Sequence, residues 1–169
     1  MGWSAACRCP KTVPLAAHRH KENAVSSYTR DSYVYLRMLP CGRMFEITAP
    51  FDYYTEIPPP KEDDRVPKRE DGNYAIVVPE GLVTDFASVP RFLWSILPPI
   101  GTFSKASVIH DYLYIRQVGS RKWADKVFRE AMLVNKASPF TAWLYYRGVR
   151  VFGWFAWWKW KKQNKKGTQ

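Results

Sequence analysis

The chain has 169 residues, of which 46% are hydrophobic and 24% charged, and its formal net charge is +11. This length and composition favour one globular domain with extensions and exclude a largely disordered chain. The three cysteines, Cys7, Cys9 and Cys41, are too few and too irregularly spaced for a disulfide framework, so we expect synthesis in a reducing compartment.

Residues 1–30 are predicted to be an irregular arm, because they mix Pro, Ala, Ser and charged residues without periodicity. The arm has no apolar run as long as a signal peptide needs, and Ala6 stands where the myristoylation pattern requires Ser or Thr. We therefore expect neither a secretion signal nor an N-terminal lipid.

Four residues of the arm are able to ligate zinc, namely Cys7, Cys9, His18 and His20. Structural zinc sites usually place about two to four residues between paired cysteines, so the tighter C-x-C spacing favours a metal-free arm.

Residues 31–138 are predicted to form an α+β core domain, a small antiparallel sheet followed by helices. Tyr33–Met38 and Met44–Thr48 are rich in aromatic and β-branched residues and are separated by a glycine-containing loop, as in a β-hairpin. Tyr74–Val78 is predicted to be a third strand. The stretch from Pro58 to Gly72 has three consecutive prolines and then mixed charges, which is typical of an exposed loop.

The second half of the chain is predicted to be helical. Ser104 can cap a helix that ends near Gln117, and Gly119–Ser120 breaks this helix and caps the next. One stripe of the first helix is polar, because residues three and four apart are neighbours on a helix surface; it consists of Ser107, His110, Asp111 and Tyr114. In the second helix, Asp125 lies at the border of a strong apolar face, where a carboxylate can reach inward.

A last helix and tail, residues 139–169, is both aromatic and basic. From residue 120 onward, twelve lysines and arginines face only two acids, which accounts for +10 of the net charge. Val151–Trp158 is an apolar run of eight residues, far short of the roughly 20 that a spanning helix requires, so no transmembrane span is predicted. The candidate contact residues are Trp154, Trp157, Trp158, Trp160, Lys159, Lys161 and Lys162.

Aromatic rings beside lysines suit three kinds of partner. They can pack against the domain or a neighbouring subunit, which we rank first. They also suit the headgroup layer of an anionic membrane surface, which we rank second. Nucleic acid ranks last, because the sequence contains no groove-reading motif.

Three motifs together resemble a family of small proteins of unassigned function that are widespread in tailed-phage and prophage genomes. They are TDFASVPR at 84–91, HDYLY at 110–114 and SRKWADKVFREAM at 120–132, with a proline-glycine turn after the first. The resemblance covers about residues 30–155 and implies a phage gene product without an established reaction. We therefore expect a virion-associated or accessory protein of the tail or of the apparatus for entering the host. Its partners would be other phage structural proteins, and its location the virion or the infected bacterial cytoplasm.

The order H-D-x-x-Y followed by A-D-x-x-F also resembles the secreted and parvoviral phospholipases that cleave the sn-2 ester. This resemblance implies that His110 is the base that activates water, and that Asp125 fixes the histidine tautomer. It further implies that Tyr114 orients Asp125 and that Asp111 binds calcium. Imidazole titrates near neutral pH and can accept a proton from water, while calcium would stabilise the oxyanion.

The chain departs from that pattern at two points. The loop before the first helix contains only Gly101, where those phospholipases have a glycine-rich loop whose carbonyls bind calcium. The stretch from His110 to Asp125 is also shorter than theirs. Asp85 is a candidate for a replacement calcium ligand.

Three interpretations of the His/Asp residues follow. The preferred one is a buried polar network that fixes how two helices and a loop meet. The alternative is a calcium-assisted phospholipase-like or other ester hydrolase acting at the host envelope. The third is a site that binds a ligand or an ion without catalysis.

Overall fold

Six short strands and three helices make up the described part of this computed structural model, which covers residues 26–28, 34–40, 44–84 and 104–166. The strands are β1 Ser27–Tyr28, β2 Leu36–Met38, β3 Phe45–Ile47, β4 Phe51–Thr55, β5 Tyr74–Val78 and β6 Val83–Thr84. The helices are α1 Ser104–Arg116, α2 Arg121–Val134 and α3 Pro139–Lys166. The predicted α+β class is confirmed.

The strands form two antiparallel sheets of three strands each, where the sequence predicted one small sheet. One sheet has the order β1-β4-β5, and β4 pairs with β5 along all five of its residues. The other has the order β2-β3-β6, and its β2–β3 pair is the predicted hairpin. β1 lies in the segment that was predicted to be irregular, and β4 and β6 were not predicted.

α2 lies at the centre of the helical layer and packs against α1, α3 and β4. Ser120 is its N-cap, and the Ser120 hydroxyl accepts a hydrogen bond from the backbone nitrogen of Trp123 at 3.2 Å. Gly119 precedes it with φ +64°, and a Cβ added there would lie 2.8 Å from Cε3 of Trp123. The predicted break and cap at Gly119–Ser120 are therefore both present.

The predicted exposed loop between β4 and β5 is anchored to the helices at several points. Trp123 Nε1 donates to the Ile57 carbonyl at 3.0 Å, and Arg65 Nη1 donates to the Arg116 carbonyl at the end of α1 at 2.7 Å. Val66 is buried, although the mixed charges around it predicted a loop without apolar burial. The loop thus closes over the junction between α1 and α2.

α3 is 28 residues long and packs one face against the other helices through buried Ala142, Tyr145 and Val149. Its opposite face exposes several large apolar side chains. Neither α3 nor another helix in the described ranges has the length of apolar sequence needed to cross a bilayer.

Candidate active site

The Asp125 carboxylate joins all three helices at one point. It is completely buried, and it accepts hydrogen bonds from two side chains of α1 and one of α3. His110 Nε2 and the Tyr114 hydroxyl both bond to Asp125 Oδ1, at 3.0 and 2.6 Å. Arg150 Nη1 donates to Asp125 Oδ2 at 2.8 Å. The predicted inward orientation of Asp125 is therefore present, and the polar residues meet in the core.

Local helix geometry accounts for the α1 half of this site. His110 and Tyr114 are four residues apart and so lie on the same face of α1, where both reach one carboxylate. On α3, Gly153 faces Tyr114, and a Cβ at Gly153 would lie 2.6 Å from the Tyr114 hydroxyl oxygen. The absence of a side chain at Gly153 lets α3 approach closely enough for Arg150, one turn earlier, to reach Asp125.

The charge state of Asp125 determines the tautomer of His110. Burial by itself raises the pKa of the Asp125 carboxyl, but hydrogen bonds from His110, Tyr114 and Arg150 outweigh burial and leave the pKa below its ordinary value. Asp125 is thus ionised at neutral pH, and a carboxylate only accepts hydrogen bonds. Nε2 of His110 must carry the proton, so a neutral imidazole has its lone pair on Nδ1.

The other two partners of Asp125 have fixed charge states at neutral pH. Burial, and the nearby Asp125 charge, raise the pKa of Tyr114, so this tyrosine is a neutral donor. The hydrogen bond to Asp125 raises the pKa of Arg150, which keeps its positive charge.

Aromatic rings hold the imidazole of His110 in place. Its ring centroid lies 4.2 Å from that of Tyr114 and 4.8 Å from that of Phe128. Nδ1 makes no hydrogen bond with any residue in the described ranges. The two rings thus fix the orientation of the imidazole that bonds to Asp125.

Asp111 belongs to a separate contact, on the side of α1 toward the sheets. It is buried and accepts a hydrogen bond from the Thr84 hydroxyl at the end of β6, so it ties α1 to the β2-β3-β6 sheet. Asp85, the other predicted metal ligand, lies outside the described residues. The structure therefore places Asp111 apart from the carboxylate of Asp125.

The described residues do not make up a calcium site. Calcium takes about six to eight oxygen ligands, commonly including several carboxylates. In residues 26–28, 34–40, 44–84 and 104–166, no three His, Cys, Asp or Glu side chains are grouped so that they could hold a metal. The proposed zinc ligands Cys7, Cys9, His18 and His20 lie outside these ranges.

Sequence reasoning missed two α3 residues of the site, Arg150 and Gly153. Arg150 was counted only among the basic residues of the tail. The signal that could have located them is a glycine and an arginine three residues apart in an otherwise bulky aromatic helix. Trp157, one turn beyond Gly153, adds an edge contact to Tyr114 at 5.0 Å between ring centroids.

The predicted contact residues of α3 divide between two faces. Trp154 and Trp158 are exposed, as are Lys159, Lys161 and Lys162. Trp157 and Trp160 are partly buried and pack against the hydrophobic core instead. Only two of the four tryptophans are thus available to an external partner.

A family profile described as "Protein of unknown function (DUF1353)" matches residues 62–149. The match covers more than half of the chain, and the protein belongs to this family. It includes α1 and α2 with His110, Tyr114 and Asp125, and it ends one residue before Arg150. No curated protein and no solved structure matches the chain.

Proposed function

We propose that the protein is an ester hydrolase in which His110 is the general base and Asp125 is its orienting partner. One observation carries this proposal. Asp125 Oδ1 accepts hydrogen bonds from both His110 Nε2 and the Tyr114 hydroxyl, which leaves Nδ1 as the proton acceptor. The resemblance to the sn-2 phospholipases implies the same two contacts, and this agreement supports an ester as the substrate.

The proposed reaction uses water as the nucleophile. Nδ1 of His110 takes a proton from water as the water oxygen forms a bond to the ester carbonyl carbon. The resulting imidazolium is stabilised by the negative charge of Asp125 at 3.0 Å from Nε2. When the carbon–oxygen bond to the leaving group breaks, Nδ1 returns its proton to the departing alkoxide. One ester and one water thus give one acid and one alcohol, and His110 is regenerated.

The decisive variant is His110→Gln, which removes the base and keeps a polar side chain of similar size. We expect the rate of hydrolysis of anionic phospholipid vesicles or of a soluble ester to fall by about 10²- to 10⁴-fold, the usual contribution of general base catalysis. Assays with calcium and with a chelator show whether the reaction needs the metal. Tyr112→Phe is the matched control, because Tyr112 lies on α1 outside the Asp125 cluster, and it should retain the wild-type rate. Absence of activity in the wild-type protein on both substrates would refute the proposal.

We also propose that the protein acts in a tailed phage or prophage, as a virion-associated or accessory component of the tail or the apparatus for entering the host. The motifs at 84–91, 110–114 and 120–132 support this setting through their resemblance to phage and prophage proteins. Its partners would then be other phage structural proteins, in the virion or the infected bacterial cytoplasm. Mass spectrometry of purified particles tests the virion location, and absence of the chain from particles would restrict it to the infected cell.

A purely structural role for the cluster is the second candidate. It is favoured by the third donor, Arg150, and by the almost complete burial of His110, 1% exposed, and Asp125, 0% exposed. On this hypothesis the wild-type protein hydrolyses nothing, and His110→Gln lowers the melting temperature only. The assay above therefore separates the two candidates.

A further inference from the structure

α3 carries a second apolar face on the side that points away from α1 and α2. Its large side chains are between 48% and 70% exposed, although α3 already buries Ala142, Tyr145 and Val149 on its other side. At about 100° of rotation per residue, their positions fall within roughly one third of the helix circumference, so they share one side of α3. This aromatic face consists of Phe140, Trp143, Val151, Trp154, Phe155 and Trp158.

The aromatic face continues into positive charge. Lys161, Lys162 and Lys165 follow Trp158 at three, four and seven residues, which places them on the same side of α3 for two further turns. The Lys162 ammonium lies 5.2 Å from the centroid of the Trp158 ring. α3 contains no acidic residue, so nothing within the helix neutralises these cations.

A shallow basic recess adjoins the charged end of the aromatic face. Its volume is about 400 Å³, and it is lined by Arg65, Arg116, Lys161 and Lys165 with the amides of Gln117 and Asn164. Arg65 is paired with Asp63 at 2.6 Å, but no carboxylate lines the recess itself. The recess thus has the size and charge to receive a phosphate headgroup.

We propose that the aromatic face and the basic recess together bind the surface of an anionic phospholipid bilayer. Trp and Phe rings partition into the interfacial region of a bilayer, and lysines are attracted to anionic headgroups. Two copies of the chain meeting through this face would instead bring together two helices with seven cations and no acid each. Charge therefore favours an anionic lipid surface over a second copy.

Docking through this face leaves the His110 site intact. Gly153 and Trp157, which contact Tyr114, lie on the opposite side of α3 from the aromatic face. The inference therefore does not depend on hydrolysis at His110. His110→Gln should bind vesicles as the wild type does. Vesicle binding therefore tests the docking proposal, and the hydrolysis assay tests the proposed reaction independently.

The test is flotation of the full chain with vesicles of phosphatidylcholine alone and of phosphatidylcholine with phosphatidylglycerol. We expect the partition coefficient for the anionic vesicles to exceed that for the neutral ones by at least about tenfold and to fall as salt rises. The double variants Trp154→Ala/Trp158→Ala and Lys161→Glu/Lys162→Glu should each lower it by about tenfold or more.

Matched control variants lie on the sheet and on the loop between β4 and β5. Tyr35→Ala/Met38→Ala removes two large side chains that are 56% and 59% exposed, and Lys61→Glu/Lys68→Glu makes the same charge change as the α3 variant. Both controls should partition as the wild type does. Because every substituted position in the α3 variants is exposed, their melting temperatures should also remain at the wild-type value.

Several results would overturn the proposal. They are equal binding to neutral and anionic vesicles, no binding to either, and anionic binding that both α3 double variants leave unchanged. Light scattering that shows a wild-type dimer lost in Trp154→Ala/Trp158→Ala would assign the face to a second copy. Binding of single-stranded DNA that is stronger than vesicle binding and lost in Lys161→Glu/Lys162→Glu would assign it to nucleic acid.

Discussion

Two carboxylates of α2, five residues apart, show that one helix is fastened to its surroundings in two different ways. Asp125 faces α1 and α3 and is wholly buried, and its donors include the imidazole of His110 and the guanidinium of Arg150. Glu130 faces the β1-β4-β5 sheet and is only partly buried. The difference lies in the donors, because those of Asp125 include a charged guanidinium.

The donors of Glu130 are neutral groups from the sheet and its neighbouring segments. The Ser26 hydroxyl donates to Oε1 at 2.6 Å, and the Tyr53 and Thr55 hydroxyls donate to Oε2. Burial, together with the charge of Glu130, raises the pKa of Tyr53 and keeps it protonated. Glu130 therefore connects α2 to the sheet through hydroxyl groups, none of which acts as a base near neutral pH. It is a purely structural carboxylate with which Asp125 can be compared.

The largest effect should come from Asp125→Ala. It leaves Arg150 and His110 without their acceptor, and breaking a buried ion pair from one side costs about 3–5 kcal/mol. We expect the lower end of this range, because the Arg150 side chain is 29% exposed and water can solvate it. Urea unfolding at neutral pH measures the loss. Glu130→Ala leaves only neutral donors without their acceptor, so it should lower the free energy of unfolding by less, about 1–3 kcal/mol. A larger loss of unfolding free energy in Glu130→Ala than in Asp125→Ala would contradict the distinction between the two carboxylates.

Gly153→Ala should be the next most damaging change. The new methyl group would meet the Tyr114 hydroxyl, and forcing extra volume into a packed contact costs about 1–3 kcal/mol. Thermal unfolding of the double variant Gly153→Ala/Tyr114→Phe provides the control, because removal of the hydroxyl relieves the clash. If the stability losses of Gly153→Ala and Tyr114→Phe simply add in the double variant, the clash with the Tyr114 hydroxyl does not cause the loss in Gly153→Ala.

The contribution of Asp125 should depend on pH in one direction. Its folded-state pKa lies below the ordinary value of 3.8, so the stabilisation is complete above that value and is lost as the pH falls through the folded pKa. The difference in unfolding free energy between the wild type and Asp125→Asn should thus shrink as the pH falls below about 4. Urea titrations at several pH values measure this. A difference that grows as the pH falls would mean that the carboxyl is protonated in the native state.

The smallest effect is expected for Ser120→Ala at the start of the same helix. It removes the N-cap hydrogen bond to Trp123 and should cost about 1 kcal/mol. Because the lost partner is a hydroxyl, this cost should be the same at pH 4 and pH 7. A pH-dependent cost would show that the acid sensitivity assigned to Asp125 is a general property of α2.

The helices were predictable because their signals are local. Ser120 caps α2 in its own first turn, and His110 and Tyr114 meet because they are four residues apart on α1. The inward orientation of Asp125 also followed from its place at the border of the apolar face of α2.

The missed features depend on contacts between distant parts of the chain. β1 is only two residues long, and the Tyr28 hydroxyl reaches the Ala131 carbonyl, 103 residues later. Arg150 joins the site only because of how α3 crosses α1 at Gly153, which no local pattern encodes. The donors of Glu130 likewise come from strands that pair only in the folded chain.

The pairing of β4 with β5 determines how short a fragment of the chain can be and still fold independently. The family match starts at residue 62, between these two strands, and stops just before Arg150. A fragment cut at those limits would expose the edge of β5, a hydrophobic strand whose open backbone groups invite aggregation. It would also deprive Asp125 of its guanidinium. We therefore expect the smallest independently folding unit to extend from Ser26 to beyond Gly153.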